Sequence, residues 1–439
     1  MQHFVKGLVV TAAIINASLA AQAQKSGAAA MPVAEKKYVS EIRALAARPA
    51  VKKAMQAIID MQPQTLSDHI LLTEIPAPPF KETQRAEKYA SMMKAAGADS
   101  VWIDKVGNVI AKRKGRTGKK TVVLEGHLDT VFPEGTDVTV KHKGDTLYAP
   151  GIIDDTRALS LVHTILKIME QTGIETEADI LFCGVVGEEG QGDLRGVKHL
   201  FSDGGPGKID AYIAIDGWNM EGITHRGLGS HRYRVTFKGP GGHSSGAFGL
   251  ANPHNALGRT IHYWSVAADT FTRQEGVRVT YNVGVIGGGT SVNSIPFESW
   301  MEVDMRSESP ERLAGVDKLL QDAIQRALRE ENEMKRSGAP LTVDVKLIGD
   351  RPSGGSDSTL PLIQYAKSAI AFVGGAPKLG VSSTNANIPI SQGVPAITMG
   401  SGGKGGNAHA LDEWWIDDQS YLATQRTLLV LLAEAGIAK

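Results

Sequence analysis

A chain of 439 residues, 42% of them hydrophobic, has room and apolar content for more than one buried core. Lysine plus arginine number 47, as do aspartate plus glutamate, so the charge balance supports neither a basic nucleic-acid-binding surface nor an acidic tail. The single cysteine, Cys183, excludes an internal disulfide and, set in an apolar run, reads as an inert core residue.

Residues 1–23 read as a secretory signal. His3 and Lys6 precede an apolar run over 7–20, and Ala21-Gln22-Ala23 has the small-residue spacing of a cleavage site. The run is short and interrupted by Asn16 and Ser18, which argues against a membrane anchor. Cleavage after Ala23 and a periplasmic or secreted mature protein, free of the membrane, are expected.

A helix is expected over 31–60, then a proline-stiffened turn over 73–82. A second helix over 82–96 stops at Gly97, and strands 101–103 and 109–112 pair around Gly107-Asn108. The run TVVLEGHLDTV starts at Thr121; its Val122, Val123 and Leu124 suit a strand buried on both faces. His127 and Asp129 follow at its carboxyl end, where open α/β sheets gather their chemistry.

Asp154 and Asp155 stand where a helix begins, with Leu159, Val162, Leu166 and Met169 as its apolar stripe and Gly173 as its stop. Alone, the two aspartates would read as carboxylates at the positive end of a helix. They do not stand alone. Strand 180–186 runs into Glu188-Glu189, strand 211–215 into Asp216, and strand 396–399, through a glycine-rich loop, towards His409. A sequence shaped only by folding would scatter such residues over both sheet edges; their shared end points to a metal site.

Between 222 and 350 the pattern changes to strand 231–237, helix 253–268, strands 277–286 and 298–306, a helix from 310 to about 335, and strand 341–348. That order is β-α-β-β-α-β, a ferredoxin-like unit. The expected organisation is a signal segment (1–23), a catalytic α/β domain in two parts (24–221 and 351–439), and an inserted ferredoxin-like α+β domain (222–350). The catalytic domain should hold a central, mostly parallel sheet flanked by helices.

His127, Asp154, Glu189, Asp216 and His409 suit two divalent metal ions, zinc foremost, with manganese or cobalt also compatible. One carboxylate must bridge, and Asp154 at its helix start is the natural choice. Adjacent Glu188 and Glu189 diverge, so one can bind metal while the other serves as general base. Asp129, two residues past a ligand histidine, suits the carboxylate that orients it.

Taken in order, GHLDTV, GIIDDTRAL, GEEG, AIDG and NAHALDE resemble the dinuclear zinc amidohydrolases and peptidases typified by acetylornithine deacetylase, succinyl-diaminopimelate desuccinylase, carboxypeptidase G, aminoacylase and peptidase T. The resemblance spans nearly the whole mature chain. It implies His127 and Asp216 on one metal, Glu189 and His409 on the other, Asp154 bridging, Asp129 orienting His127, and Glu188 as general base. It further implies that the insertion is a lid and homodimer interface, with His243 of GPGGHSSG stabilising an oxyanion, often across the dimer. Asn293 and Arg306 fall where relatives hold the substrate's backbone or carboxylate, and a cis peptide is implied between Asp154 and Asp155.

Two departures stand out. Asp154-Asp155-Thr156-Arg157 replaces the lysine-glycine ending common in relatives. The stretch SSTNANIPI (382–390) puts Asn387 where many carry a carboxylate-binding arginine. An amide holds a carboxylate less well than a guanidinium, which favours dipeptidase or aminopeptidase action over carboxypeptidase-like recognition. SGGSDS at Ser353 lies at the lid's return and is not the equivalent stretch. Trp414 and Trp415, close after His409, either wall the pocket or pack. The substrate reading is a small peptide, or alternatively an N-acyl amino acid. The rival from another class is a non-catalytic metal- or peptide-binding protein on this scaffold, which would have no need of Glu188.

Overall fold

The computed structural model describes residues 33–438, so the signal segment 1–23 lies outside the described residues. In place of one helix over 31–60 the chain forms α1 (Lys36–Ala47) and α2 (Pro49–Asp60). Pro49 imposes the break: Arg48 before it is extended, with ψ 136°, because the proline ring crowds out the helical conformation there. A further helix, α3 (Gln62–Thr73), also opens with proline in its first turn; the sequence reading leaves it unassigned. Helix α4 (Thr83–Ala95) follows.

The strands then run β1 (Ser100–Ile103), β2 (Val109–Arg113), β3 (Thr121–His127), β4 (Asp179–Val185), β5 (Ala211–Ile215) and β6 (Gly222–Gly227). The chain departs into β7 (Gly229–Lys238), β8 (Val279–Gly288), β9 (Glu298–Ser307) and β10 (Thr342–Arg351), and returns through β11 (Gly354–Gly355), β12 (Lys378–Ser382) and β13 (Ala396–Met399). The main sheet has the order β1-β2-β4-β3-β5-β13-β6-β11, with β12 also paired to β6. Its centre, β4-β3-β5-β13, is parallel. Antiparallel strands extend it towards both edges, so the sheet as a whole is mixed.

Both faces of β3 are covered. Val122 and Leu124 join one apolar core with α2, α5 (Thr156–Thr172), α9 (Pro361–Phe372) and α11 (Tyr421–Ala435). Val123 faces a second core with α6 (Arg195–Leu200) and α10 (Asn387–Ser391), where Cys183 is also buried. Gly126 sits where α5 crosses β3. A Cβ there would lie 3.0 Å from Ala158 Cβ and 3.1 Å from the Leu159 nitrogen, so the glycine permits the close approach beside His127.

Strands β7 to β10 form a separate antiparallel sheet in the order β8-β9-β7-β10. Helices α7 (Pro253–Thr272) and α8 (Pro310–Met334) cover one face through Phe237, Trp264, Met301, Met305 and Leu320. Along β9 buried and less buried residues alternate, as a sheet covered on one side requires. At the junction Ser230 of β7 pairs with Arg351 of β10, and Gly227 of β6 with Gly354 of β11. The outgoing and returning strands thus run side by side. Among the described residues no helix is long and apolar enough to cross a membrane.

Candidate metal centre

The parallel strands deliver their functional side chains to one edge. His127 ends β3, Glu188 and Glu189 lie just past β4, Asp216 follows β5, and the loop after β13 brings in His409. Asp154 enters just ahead of α5 through a cis Asp154–Asp155 peptide. His127 Nε2 lies 2.7 Å from Asp154 Oδ1; His409 Nε2 lies 3.1 Å from Asp154 Oδ2 and 2.8 Å from Glu189 Oε1. One carboxylate therefore sits between two imidazoles, an oxygen towards each. Potential ligand atoms of His127, Asp154, Asp155 and Asp216 lie within 4.8 Å of one another, and so do those of Asp154, Glu189 and His409. Asp154 is common to both groups.

The surrounding bonds orient these atoms. His127 Nδ1 is 2.9 Å from the Asp129 main-chain carbonyl, which can only accept, so Nδ1 carries a proton and Nε2 is the nitrogen turned into the site. It is thus the Asp129 carbonyl, not its carboxylate as the sequence suggested, that makes this hydrogen bond; the nearer carboxylate oxygen is 3.7 Å away. The Asp129 carboxylate instead accepts the backbone N–H groups of Glu188 (3.0 Å) and Glu189 (2.9 Å) and so shapes the loop that bears both glutamates. Asp155 makes no side-chain cap to α5; its Oδ2 accepts the His127 N–H at 3.0 Å. Glu413 accepts the N–H groups of Gly151, Ile153 and Asp154 at 3.1, 2.6 and 3.1 Å, which fixes the Asp154 turn. The supporting roles of Asp155 and Glu413 were not read from sequence, although Glu413 closes the NAHALDE motif.

The electrostatics are those of a partly buried anionic cluster. Burial, reinforced by the nearby Asp154 charge, pushes the Asp216 carboxyl up to about 7. Burial likewise holds Glu188 well above the usual carboxylate range, with the Arg351 guanidinium pulling the other way. For Asp154 burial acts upward too, but hydrogen bonds with His127 and His409 outweigh it and keep the carboxyl far below its ordinary value. Hydrogen bonds to Asp154 and Glu189 raise His409 to about 10. Oxygen and imidazole donors converging with excess negative charge are a donor set that fits a pair of divalent cations.

The other expected site residues lie apart from this cluster. His243 and Asn293 are brought together: a two-residue bridge pairs His243 with Ser294, and Ser244 N–H donates to the Asn293 carbonyl at 2.9 Å. The His243 ring accepts from the backbone N–H of Gly246 at 3.1 Å and remains exposed. Arg306 donates through Nε to Asp304 at 2.8 Å, and Asp304 also receives Arg232. Asn387 requires a correction as a substrate ligand. It is buried, its amide donates to the carbonyls of Leu228 and Pro352 at 3.0 Å each, and its oxygen accepts the Thr384 N–H. Both donors are occupied at the domain junction, leaving none for a carboxylate. Trp415 is a packing residue, 2% exposed, its indole N–H bonded to the Gly402 carbonyl and its ring against His69.

A cavity of about 210 Å³ is lined by Phe80, Glu82, Ile103, Val106, Val186 and Arg195. A second, of about 150 Å³, opens directly beside Asp216; Asn219, Thr224, Ser382, Thr384 and Thr398 line it, and Asp216 is its only charged side chain.

Carboxylates and imidazoles gathered at the carboxyl ends of parallel strands, beside an inserted four-stranded domain, define a metal-dependent hydrolase. Residues 123–434 match Peptidase family M20/M25/M40, and the chain belongs to that family, whose enzymes depend on a dinuclear metal centre. It is similar to a succinyl-diaminopimelate desuccinylase of Corynebacterium glutamicum, 26% identical over 362 residues that cover 79% of this chain and 92% of the relative. A tripeptidase from Staphylococcus aureus superposes with a TM-score of 0.67 at 20% identity, covering 84% of this chain and 98% of the other. A dipeptidase from Saccharomyces cerevisiae gives 0.65 at 16% identity, covering 88% and 99%. At those identities the two structures speak for the fold alone.

Proposed function

We propose that this protein hydrolyses the amide bond of small peptides, with dipeptidase or aminopeptidase preference, at a pair of divalent metal ions, most simply zinc. The observation that carries the reading is Asp154 lying between His127 and His409, with Glu188 alongside. His127, Asp154 and Asp216 would hold one ion and Asp154, Glu189 and His409 the other. When bound, the ions supply the Lewis acidity that makes water a competent nucleophile near neutral pH and polarises a carbonyl. Glu188 takes the proton of the attacking water and passes it to the departing amine. His243, Asn293 and Arg306 would meet the substrate from the lid.

The hydroxyl-lined cavity beside Asp216 supports an uncharged or amino-terminal substrate group there, since no arginine or lysine lines it to hold a carboxylate. Deacylation of N-acyl amino acids is the second reading, favoured by the similarity to the desuccinylase. A panel of dipeptides, tripeptides and N-acetyl and N-succinyl amino acids, assayed before and after chelation, separates the two. Dipeptides should turn over fastest, chelation should abolish the activity, and zinc should restore it. Turnover undiminished by chelation would sink the metal mechanism, and turnover of acyl amino acids alone would transfer the assignment to a deacylase.

We further propose export, with maturation after Ala23, and a homodimer through the lid. Strand β8 supports the latter, since it is an edge of the lid sheet and leaves Val285 and Ile286 exposed. Light scattering should give twice the chain mass, and a monomer at assay concentration would remove the dimer and any His243 contribution across it.

A further inference from the structure

Arg351 ends β10, at the point where the chain leaves the lid sheet. Its side chain is buried, 5% exposed, and turns towards the loop after β4. There Nη1 donates to Glu188 Oε1 at 3.2 Å and to Ser383 Oγ at 3.2 Å, while Nη2 donates to the Glu188 main-chain carbonyl. One guanidinium thus grips both the carboxylate and the backbone of a single residue. Glu188 Oε2 has no hydrogen-bond partner among the described residues, and a Glu188 oxygen lies within 4.8 Å of ligand atoms of His127 and Glu189.

The same loop is tied to the lid root by neighbouring bonds. Asp350 N–H donates to Asp193 at 2.8 Å, Lys198 to the Asp350 carbonyl at 2.8 Å, and Arg232 to the Gly190 carbonyl at 3.1 Å. These bonds secure the backbone without help from Arg351. Burying a guanidinium costs desolvation, and here Nε finds no partner, so the pair is a poor device for stability alone. Its planar fork is, however, well suited to fixing a carboxylate's rotamer.

We propose that Arg351 is a positioning residue for Glu188: it holds Oε1 and the backbone of the general base so that Oε2 is presented to the attacking water. This rests on the reading of Glu188 as base. The test is steady-state kinetics of wild type, Arg351→Lys, Arg351→Met, Glu188→Gln and the Glu188→Gln/Arg351→Met double variant on the best substrate of the panel. Metal content and melting temperature are measured in parallel.

Arg351→Met should lose on the order of 10²-fold in kcat, the cost of a displaced catalytic group, with metal content unchanged. KM should stay within about threefold, because substrate binding is not touched. Arg351→Lys, which keeps the charge but not the fork, should recover part of the loss. In the Glu188→Gln background the Arg351→Met change should move the residual rate by less than about threefold, since the group it positions is gone.

Wild-type kcat in Arg351→Met, or an equal loss in both backgrounds, would overturn the proposal. If Arg351→Met unfolds or loses metal, Arg351→Lys decides: reduced kcat at unchanged melting temperature and metal content supports it, and unchanged kcat overturns it. A fully active Glu188→Gln is a different result, one that refutes the base itself.

Discussion

Glu188→Gln is expected to lower kcat by about 10³-fold, within the range a positioned general base contributes. Glutamine keeps the side chain's size and an acceptor for Arg351 but cannot take a proton. Glu188 lies next to Glu189 in the strand-end loop, yet Glu189 faces His409 at 2.8 Å whereas Glu188 faces Arg351. The loop itself is held by the Asp129 carboxylate through backbone N–H groups that the substitution leaves in place. Metal content and melting temperature should therefore stay at wild-type values while turnover collapses. Elemental analysis beside single-turnover kinetics makes the check. A Glu188→Gln protein of normal rate would mean that another group carries the proton.

Asp154→Ala should be more damaging still, by a different route. Asp154 links the group that holds Asp216 to the group that holds His409, and each of its oxygens faces a different histidine. Its removal would take a donor from both ions at once and leave Asp216 and Glu189 without a partner between them. Loss of both ions, and with them of all measurable turnover, is expected. Asp216→Ala makes the useful contrast, because Asp216 belongs to only one of the groups. That variant should retain one ion, the one that Asp154, Glu189 and His409 would hold. Two tightly bound ions per chain in Asp154→Ala would refute the bridging assignment.

The strand ends were legible because a buried strand announces itself as a short apolar run, and the next residues must then sit at its carboxyl edge. That local logic brought His127, Asp154, Glu189, Asp216 and His409 to one place. The contacts that support them were not legible in the same way. Arg351 and Glu188 are 163 positions apart, and Glu413 and Ile153 are 260 apart. No periodicity links residues so distant. Asp129 shows a subtler limit: its position beside His127 was evident, but its backbone rather than its side chain meets the ring. For Asn387, motif position alone does not reveal that the amide is occupied at the junction. The break at Arg48 is readable from sequence, since Pro49 follows it directly.

The pairing of Gly227 with Gly354 and of Ser230 with Arg351 makes the inserted four-stranded domain an outgrowth of a single hairpin. A module grafted at a hairpin tip adds no threading constraint to its host, because the two cut ends already touch. A module of different size or curvature could therefore be carried at this joint while the metal-ligating strand ends kept their places.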